Sequence, residues 1–214
     1  MKEGKNIMEN SRTAENNIVS LSGTVAEECV FSHEVYGEGF YIFSLEVRRL
    51  SDNEDILPVT VSDRLTDVKT LKAGDRVNIK GQLRSYNHYS ANRNRLILTA
   101  FAREIERDAE PFENPNEIFL NGYICKPPIY RTTPFGREIT DILVAVNRSY
   151  GKSDYIPCIA WGRNARFAGS LEVGANIRLW GRIQSRTYIK HISDTETEER
   201  VAYEVSISKI ELNS

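Results

Sequence analysis

At 214 residues, 40% hydrophobic and 27% charged, the chain has the composition of a soluble globular protein that can bury one large or two small cores. Its start, MKEGKNIMENSRTAENN, holds no apolar segment, and no run approaches the ~18 apolar residues of a membrane span, which predicts a cytoplasmic protein without membrane contact. The formal charge of −2 speaks against a uniformly basic binder, but residues 1–116 carry 15 Lys/Arg against 19 Asp/Glu, whereas residues 117–214 carry 13 against 11.

Four acids of the second half (Asp194, Glu196, Glu198, Glu199) crowd one short hairpin, so the rest of that half is the anion-facing part. Cys29, Cys125 and Cys158 are far apart and form no CxxC pair, and His33, His88 and His191 are equally scattered. Reduced thiols are expected, with no disulfide framework, metal site or cofactor.

In chain order, residues 1–16 are polar and aperiodic and read as a disordered arm. Strands follow at Ile18–Val25, Phe40–Arg48 and Asp55–Val61, then a helical turn ending near Leu71, then strands Val77–Arg84 and Arg95–Ile105. The segment RDAEPFENPN at 107–116, rich in proline and acids, reads as a linker. Beyond it come strands Glu117–Ile124, Ile139–Asn147 and Ser153–Trp161, a helix about Asn164–Leu171, and strands Asn176–Ser185 and Val201–Ile210.

The second series repeats the first. LSGTV at Leu21–Val25 matches LNGYI at Leu120–Ile124, and DILPVTVSDR at Asp55–Arg64 matches DYIPCIAWGR at Asp154–Arg163, both 99 residues downstream. LKAGDRVNIKGQLRS at Leu71–Ser85 matches LEVGANIRLWGRIQS at Leu171–Ser185, 100 residues downstream. Each copy has five strands, a short helix between strands three and four, and glycine at a strand bend (Gly81, Gly181). That order predicts an all-β chain of two tandem five-stranded OB-fold barrels, 17–106 and 117–214. Pro58 and Pro157 hold one repeat position inside strand three, which must there be an edge or a bulge.

The stretch VAVNRSYGKSDYIPCIAWGR, Val144–Arg163, sets Arg148, Tyr150, Lys152, Tyr155, Trp161 and Arg163 around a Ser-Tyr-Gly-Lys tip. Rings interleaved with cations on a sheet suit single-stranded nucleic acid, since rings stack on bases and cations follow phosphates. The same rings would equally serve to fill a small β core. Asp141 and Asp154 read as solvated strand residues rather than metal ligands, and Gly151 and Gly174 as turn glycines. No GxxxxGK[ST], HExxH or GxSxG motif occurs, so no enzyme is expected.

The blocks IFLNGYICKPPIYRTTPFG at Ile118–Gly136, ILVAVNRSYG, DYIPCIAWGR and GRIQSRTY at Gly181–Tyr188 resemble the bacterial single-stranded DNA-binding protein family, in the family's order and spacing over about Glu117–Leu212. The first copy resembles it more weakly over Asn17–Glu106. The resemblance implies a protein that coats exposed strands in replication, recombination and repair, associated with the nucleoid, with two folds per chain and a homodimer bringing four together. It places base-stacking rings at Tyr150, Tyr155, Trp161 and Tyr188, and basic partners at Arg131, Arg163, Arg182 and Arg186, with Lys152 nearby.

The first copy departs from this pattern, with Ser51, Ile56 and Ser62 where rings are expected. Only His88 stands opposite Tyr188, beside Tyr86 and Tyr89, while Arg64 persists and Arg84, Arg93 and Arg95 surround a hairpin. That predicts either a reduced binding surface or mainly a pairing partner. The family's acidic tail is not seen after KIELNS, so recruitment of replication or repair proteins through such a tail is not expected. Trp180 is left open between a stacking platform, a subunit contact and packing. The competing readings are a primosome-like accessory whose folds serve protein contacts, and an RNA-binding OB protein.

Overall fold

The computed structural model describes residues 16–49, 53–90, 93–191 and 197–213, the side chains of 88–90, 93–95 and 190–191 excepted. Nearly all of the expected N-terminal arm, together with Ser51, Asp194, Glu196 and the side chains of His88, Tyr89, Arg93 and Arg95, lies outside the described residues. The first half holds β1 (Asn17–Val25), β2 (Val30–Val35), β3 (Glu38–Arg48), β4 (Glu54–Ser62), β5 (Arg76–Ser90) and β6 (Arg93–Arg107). The second holds β7 (Asn116–Ile124), β8 (Ile129–Thr132), β9 (Glu138–Asn147), β10 (Ser153–Trp161), β11 (Asn176–His191) and β12 (Thr197–Leu212).

In the first half β1 pairs with β5 and, at Thr24 and Val25, with β3; β3 pairs with β4, and β5 with β6. The ring closes where β4 meets β6 in parallel at Val59 and Thr60. Strands β7, β9, β10, β12 and β11 repeat this circuit, with the parallel closure at Cys158 and Ile159. These are the two predicted OB barrels. Alternate strand residues fill their interiors: Leu21, Leu45, Val59, Ile79 and Leu83 in one, and Leu120, Val144, Ile156, Leu179 and Ile183 in the other.

Two short strands were not expected. Strands β2 and β8 pair only with the outer edges of β3 and β9, and every one of their residues is exposed, so no apolar period marks them. The repeat-related prolines sit as their chemistry requires. Pro58 faces Ser44 of β3 one residue before β4 reaches β6, and Pro157 faces Leu143 one residue before β10 reaches β12. Gly81 and Gly181 mark matching bulges; a Cβ there would lie 2.1 Å from the Phe101 carbonyl oxygen and 2.2 Å from that of Ser206.

The two helical connections differ in length. α1 (Arg163–Gly169) buries Ala165 and Ala168 against the second barrel, and the Thr140 hydroxyl donates to the Ala165 carbonyl at 2.7 Å. In the first fold only a 3-10 turn, Val68–Thr70, forms. Its neighbourhood, LTDVKT, is β-branched and Asp-containing, where the second copy has the better helix former RNARFAG.

Strands β1 and β7 run antiparallel, Asn17 opposite Leu120 through Leu21 opposite Asn116, and so join the barrels into one twelve-stranded sheet. Asn17 clamps Leu83 through both its backbone groups (2.7 and 2.8 Å), and Asn116 does the same to Ile183. Of residues 107–116, expected as a linker, Arg107 ends β6 and Asn116 opens β7, and the stretch between is tied to the first fold: the Phe112 N–H donates to the Ser22 hydroxyl, and Asn78 donates to the Glu110 carbonyl.

Candidate nucleic-acid interface

Strands β9 and β10 with the turn Ser149–Gly151 between them form the hairpin singled out in the sequence. Val144, Val146, Ile156, Cys158 and Ala160 point into the barrel, which sends the intervening residues outward. Tyr150 is 99% exposed, Tyr155 47% and Trp161 39%, so these rings are not core. Tyr150 holds the left-handed conformation (φ 62°, ψ 32°), uncommon for a tyrosine, at the summit of the turn. Tyr188 is half-buried on β11, with the Arg186 guanidinium carbon 5.7 Å from its ring centre.

Register brings these groups into rows. Arg131, Ile139 and Trp161 lie abreast across β8, β9 and β10, and Tyr123, Ala145 and Tyr155 lie abreast across β7, β9 and β10. Directly opposed residues share a face, so exposed Tyr123 and Tyr155 flank the small side chain of Ala145. Trp161 lies six residue steps along β10 from Tyr155, about 20 Å at ~3.3 Å per residue.

The cations fall into two groups. Lys152 and Arg163 are exposed, Arg131 pairs with Asp141 at 2.8 Å, Arg182 donates to Gln184 at 3.2 Å, and Arg186 lies 3.9 Å from Glu204. Arg148 and Arg84 are held differently. Arg148 donates to Asp154 and, at 2.9 Å, to the Ser85 carbonyl, while Arg84 donates to Asp154 at 3.0 Å. Asp154, expected to be a solvated strand residue, is fully buried and also accepts the Ser85 N–H at 2.6 Å. Asp154 is buried because Ser85 and Arg84 of the other fold cover it, a contact that no local pattern reveals.

The repeat makes a counterpart. Asp55, also fully buried, accepts Arg49 and the Ser185 N–H (2.8 Å), so each fold inserts a carboxylate beneath a serine of the other. Burial works to raise the Asp55 carboxyl, but the Arg49 hydrogen bonds and the Ser185 N–H outweigh it and hold the group below the usual carboxylate value.

In the first fold Ile56 is exposed, and buried Ser62 donates to Glu38 and accepts the Arg64 N–H at 3.1 Å. Arg64 itself pairs with Glu38 at 3.4 Å. Tyr86 stands 42% exposed. Rings missing from the expected positions occur elsewhere: His33 stacks on Phe40 (5.0 Å between centres, 15° between planes), Phe40 lies 5.8 Å from Phe101, and Phe31 meets Tyr41 edge-on.

Other exposed rings were missed in the second fold: Tyr123, Tyr130 and Phe135, the last 93% exposed in the TTPFG turn. Strict alternation along β7, where Ile118, Leu120 and Ile124 are buried, was the available signal for Tyr123. Tyr130 donates to Glu138 at 2.5 Å; Arg166, first, and Tyr130 hold that carboxyl below its usual value. Trp180 is half-buried, its ring 5.1 Å from that of Phe119 and with Lys209 Nζ 4.6 Å above it.

A closed OB barrel with rings and cations on its outward strands is an arrangement used for binding oligonucleotides. The family model described as "Single-strand binding protein family" matches residues 115–213. Single-stranded DNA-binding protein 1 of Staphylococcus aureus (strain COL) is 35% identical over 80 residues, covering 34% of this chain and 48% of that protein. Single-stranded DNA-binding protein B of Bacillus subtilis (strain 168) is 32% identical over 80 residues, 34% of this chain and 71% of that shorter relative. The chain belongs to the single-strand binding protein family. It spans about half the length of the first of these relatives. The crystal structure of the wild-type single-stranded DNA binding protein from Thermus aquaticus overlays with a TM-score of 0.73 across 92% of this chain and 93% of that one, at 19% identity, a likeness of fold.

Proposed function

We propose that the chain binds single-stranded DNA with little regard to sequence, and coats and protects exposed strands during replication, recombination and repair. The observation that carries this is the outward stance of Tyr150, Tyr155 and Trp161 on a hairpin whose alternate residues fill the barrel. Each stacked base contributes about 1–3 kcal/mol, and every base offers a π-face, so affinity comes without sequence preference. Lys152, Arg163, Arg131, Arg182 and Arg186 follow the phosphates, each contact adding about −0.7 to the salt slope. The chain is a binder rather than an enzyme, and its place is the cytoplasm, on the nucleoid.

Two chains pair as a homodimer of four folds. The apolar patch of Ile18, Phe119 and Trp180, abreast across β1, β7 and β11, supports this by offering a second chain something to cover. Membership of the family does not favour the scaffold reading, in which the folds serve protein contacts. Titration of intrinsic fluorescence with oligo(dT), oligo(rU) and duplex is the test. Quenching by sub-micromolar oligo(dT) ahead of the other two is the expected result. No quenching at low salt would return the scaffold reading, and preference for oligo(rU) would make this an RNA binder.

A further inference from the structure

Each fold buries a carboxylate of the other, so the molecule has two junctions related by the repeat, and their surroundings differ. Above Asp154 opens a cleft of about 680 Å³, walled by Arg84, Tyr86, Phe101 and Arg103 of the first fold and by Tyr150 and Lys152 of the second. None of the residues lining that cleft is acidic. Arg84 and Arg103 both donate to the Gln82 side-chain amide oxygen Oε1 (2.5 and 3.0 Å), and Asp154 already takes Arg148. Burial first, then the neighbouring Arg148 and Arg103, push the Arg84 guanidinium below its usual value despite Asp154. By composition Arg84, Arg103, Arg148 and Lys152 line the cleft, against the one carboxylate of Asp154 beneath it.

At the other junction the same positions carry different chemistry. Arg84, opposite Thr99, becomes Gln184, opposite Glu204; Phe101, opposite Gln82, becomes Ser206, opposite Arg182. Arg103, left unpaired by the bulge at Gly81, becomes Ser208 at the bulge of Gly181. Gln184 donates to Glu204 at 2.8 Å, and Arg49 is matched to Asp55. At the positions of Arg84, Phe101 and Arg103 that side offers neither ring nor cation; its Arg182 donates to Gln184, and Arg186, at the position of Tyr86, lies 3.9 Å from Glu204.

We infer that a DNA strand bound on the second fold passes to the first through the Arg84–Arg103 cleft and not through its counterpart, with a base against Tyr86 and Phe101 and phosphates at Arg103 and Lys152. Tyr150 makes the path continuous, because it belongs both to the stacking hairpin and to the cleft wall. On the far side Phe101 leads to Phe40 and His33, which extends the ring surface across the first fold. The first fold thus takes part through rings of its own, placed away from the family positions it lacks.

The inference rests on the single-strand-binding reading, and the length of the probe separates the two. An OB fold covers about 4–16 nucleotides, so an oligo(dT) of about 8 engages the second fold alone and one of about 30 reaches both. Tyr86→Ala and Arg103→Gln, each in the full chain, should leave the short probe within about twofold of wild type. They should weaken the long probe, Tyr86→Ala by about 5- to 150-fold, with Arg103→Gln lowering the long-probe salt slope by about 0.7. Long-probe affinity equal to wild type in both variants, or equal loss on both probes, would overturn the path. Wild type failing on both lengths would instead bring down the reading of function, and the path with it.

Discussion

The two barrels are built alike inside and differently outside. Position by position their interiors hold the same kind of residue, as with Leu21 and Leu120, Ile79 and Leu179, or Leu83 and Ile183. At the surface, Tyr155 and Trp161 of the second fold stand at the positions that Ile56 and Ser62 hold in the first, while Phe101 and Arg103 of the first stand where the second has Ser206 and Ser208. A core position must be apolar to close the barrel, whereas an outward position is limited only by what it meets. One scaffold can therefore carry two surfaces, and here the second is dense on the β9–β10 hairpin while the first is displaced toward the junction.

The largest effect expected from breaking this comparison lies at the junctions. Asp154→Ala leaves Arg84 and Arg148 without their carboxylate and the Ser85 N–H without an acceptor, and should cost about 3–5 kcal/mol of stability in urea melts. Asp55→Ala strips only Arg49 and Ser185 and should cost less; equal losses would show that the surplus arginine has no energetic consequence. Next come the rings. Trp161→Ala and Tyr155→Ala should each weaken oligo(dT) binding by about 1–3 kcal/mol with little change in melting temperature, and matched loss of both would return these residues to the core. Tyr123→Ala, in the same row as Tyr155, should act in the same direction.

Acid gives a smaller, graded effect. The Asp55 carboxyl is held below its usual value in the fold, so its contribution is fully present above the ordinary carboxylate range and is lost as pH falls through the depressed folded value. Melting temperature should fall on acidification, and Asp55→Asn should flatten part of that fall. The smallest effect is expected at Ser62→Ala, which should change oligo(dT) affinity by less than about 0.5 kcal/mol. A larger change would mean that the first fold keeps a contact at the family position after all.

Much of the architecture was legible because it depends on local periods. Alternating apolar residues marked the barrel strands, paired blocks 99 and 100 residues apart announced the duplication, and the fixed ring of Pro58 and Pro157 foretold an unpaired strand edge. Strands β2 and β8 escaped because a strand exposed on both faces carries no apolar rhythm. Tyr123 lies on a strand whose rhythm is plain, but it joins the site only because β7 pairs with β9 at Ala145.

The sequence by itself determined two barrels, their order and the hairpin on which rings and cations cluster, because each follows from spacing along one strand or from one copy matching the other. Only the tertiary structure decided that Asp154 is buried, that Arg148 and Arg84 meet on it, and that the rings of the first fold gather beside Tyr150. Those facts depend on strands from different folds lying side by side. The β1–β7 pairing that brings them together leaves no period in the chain.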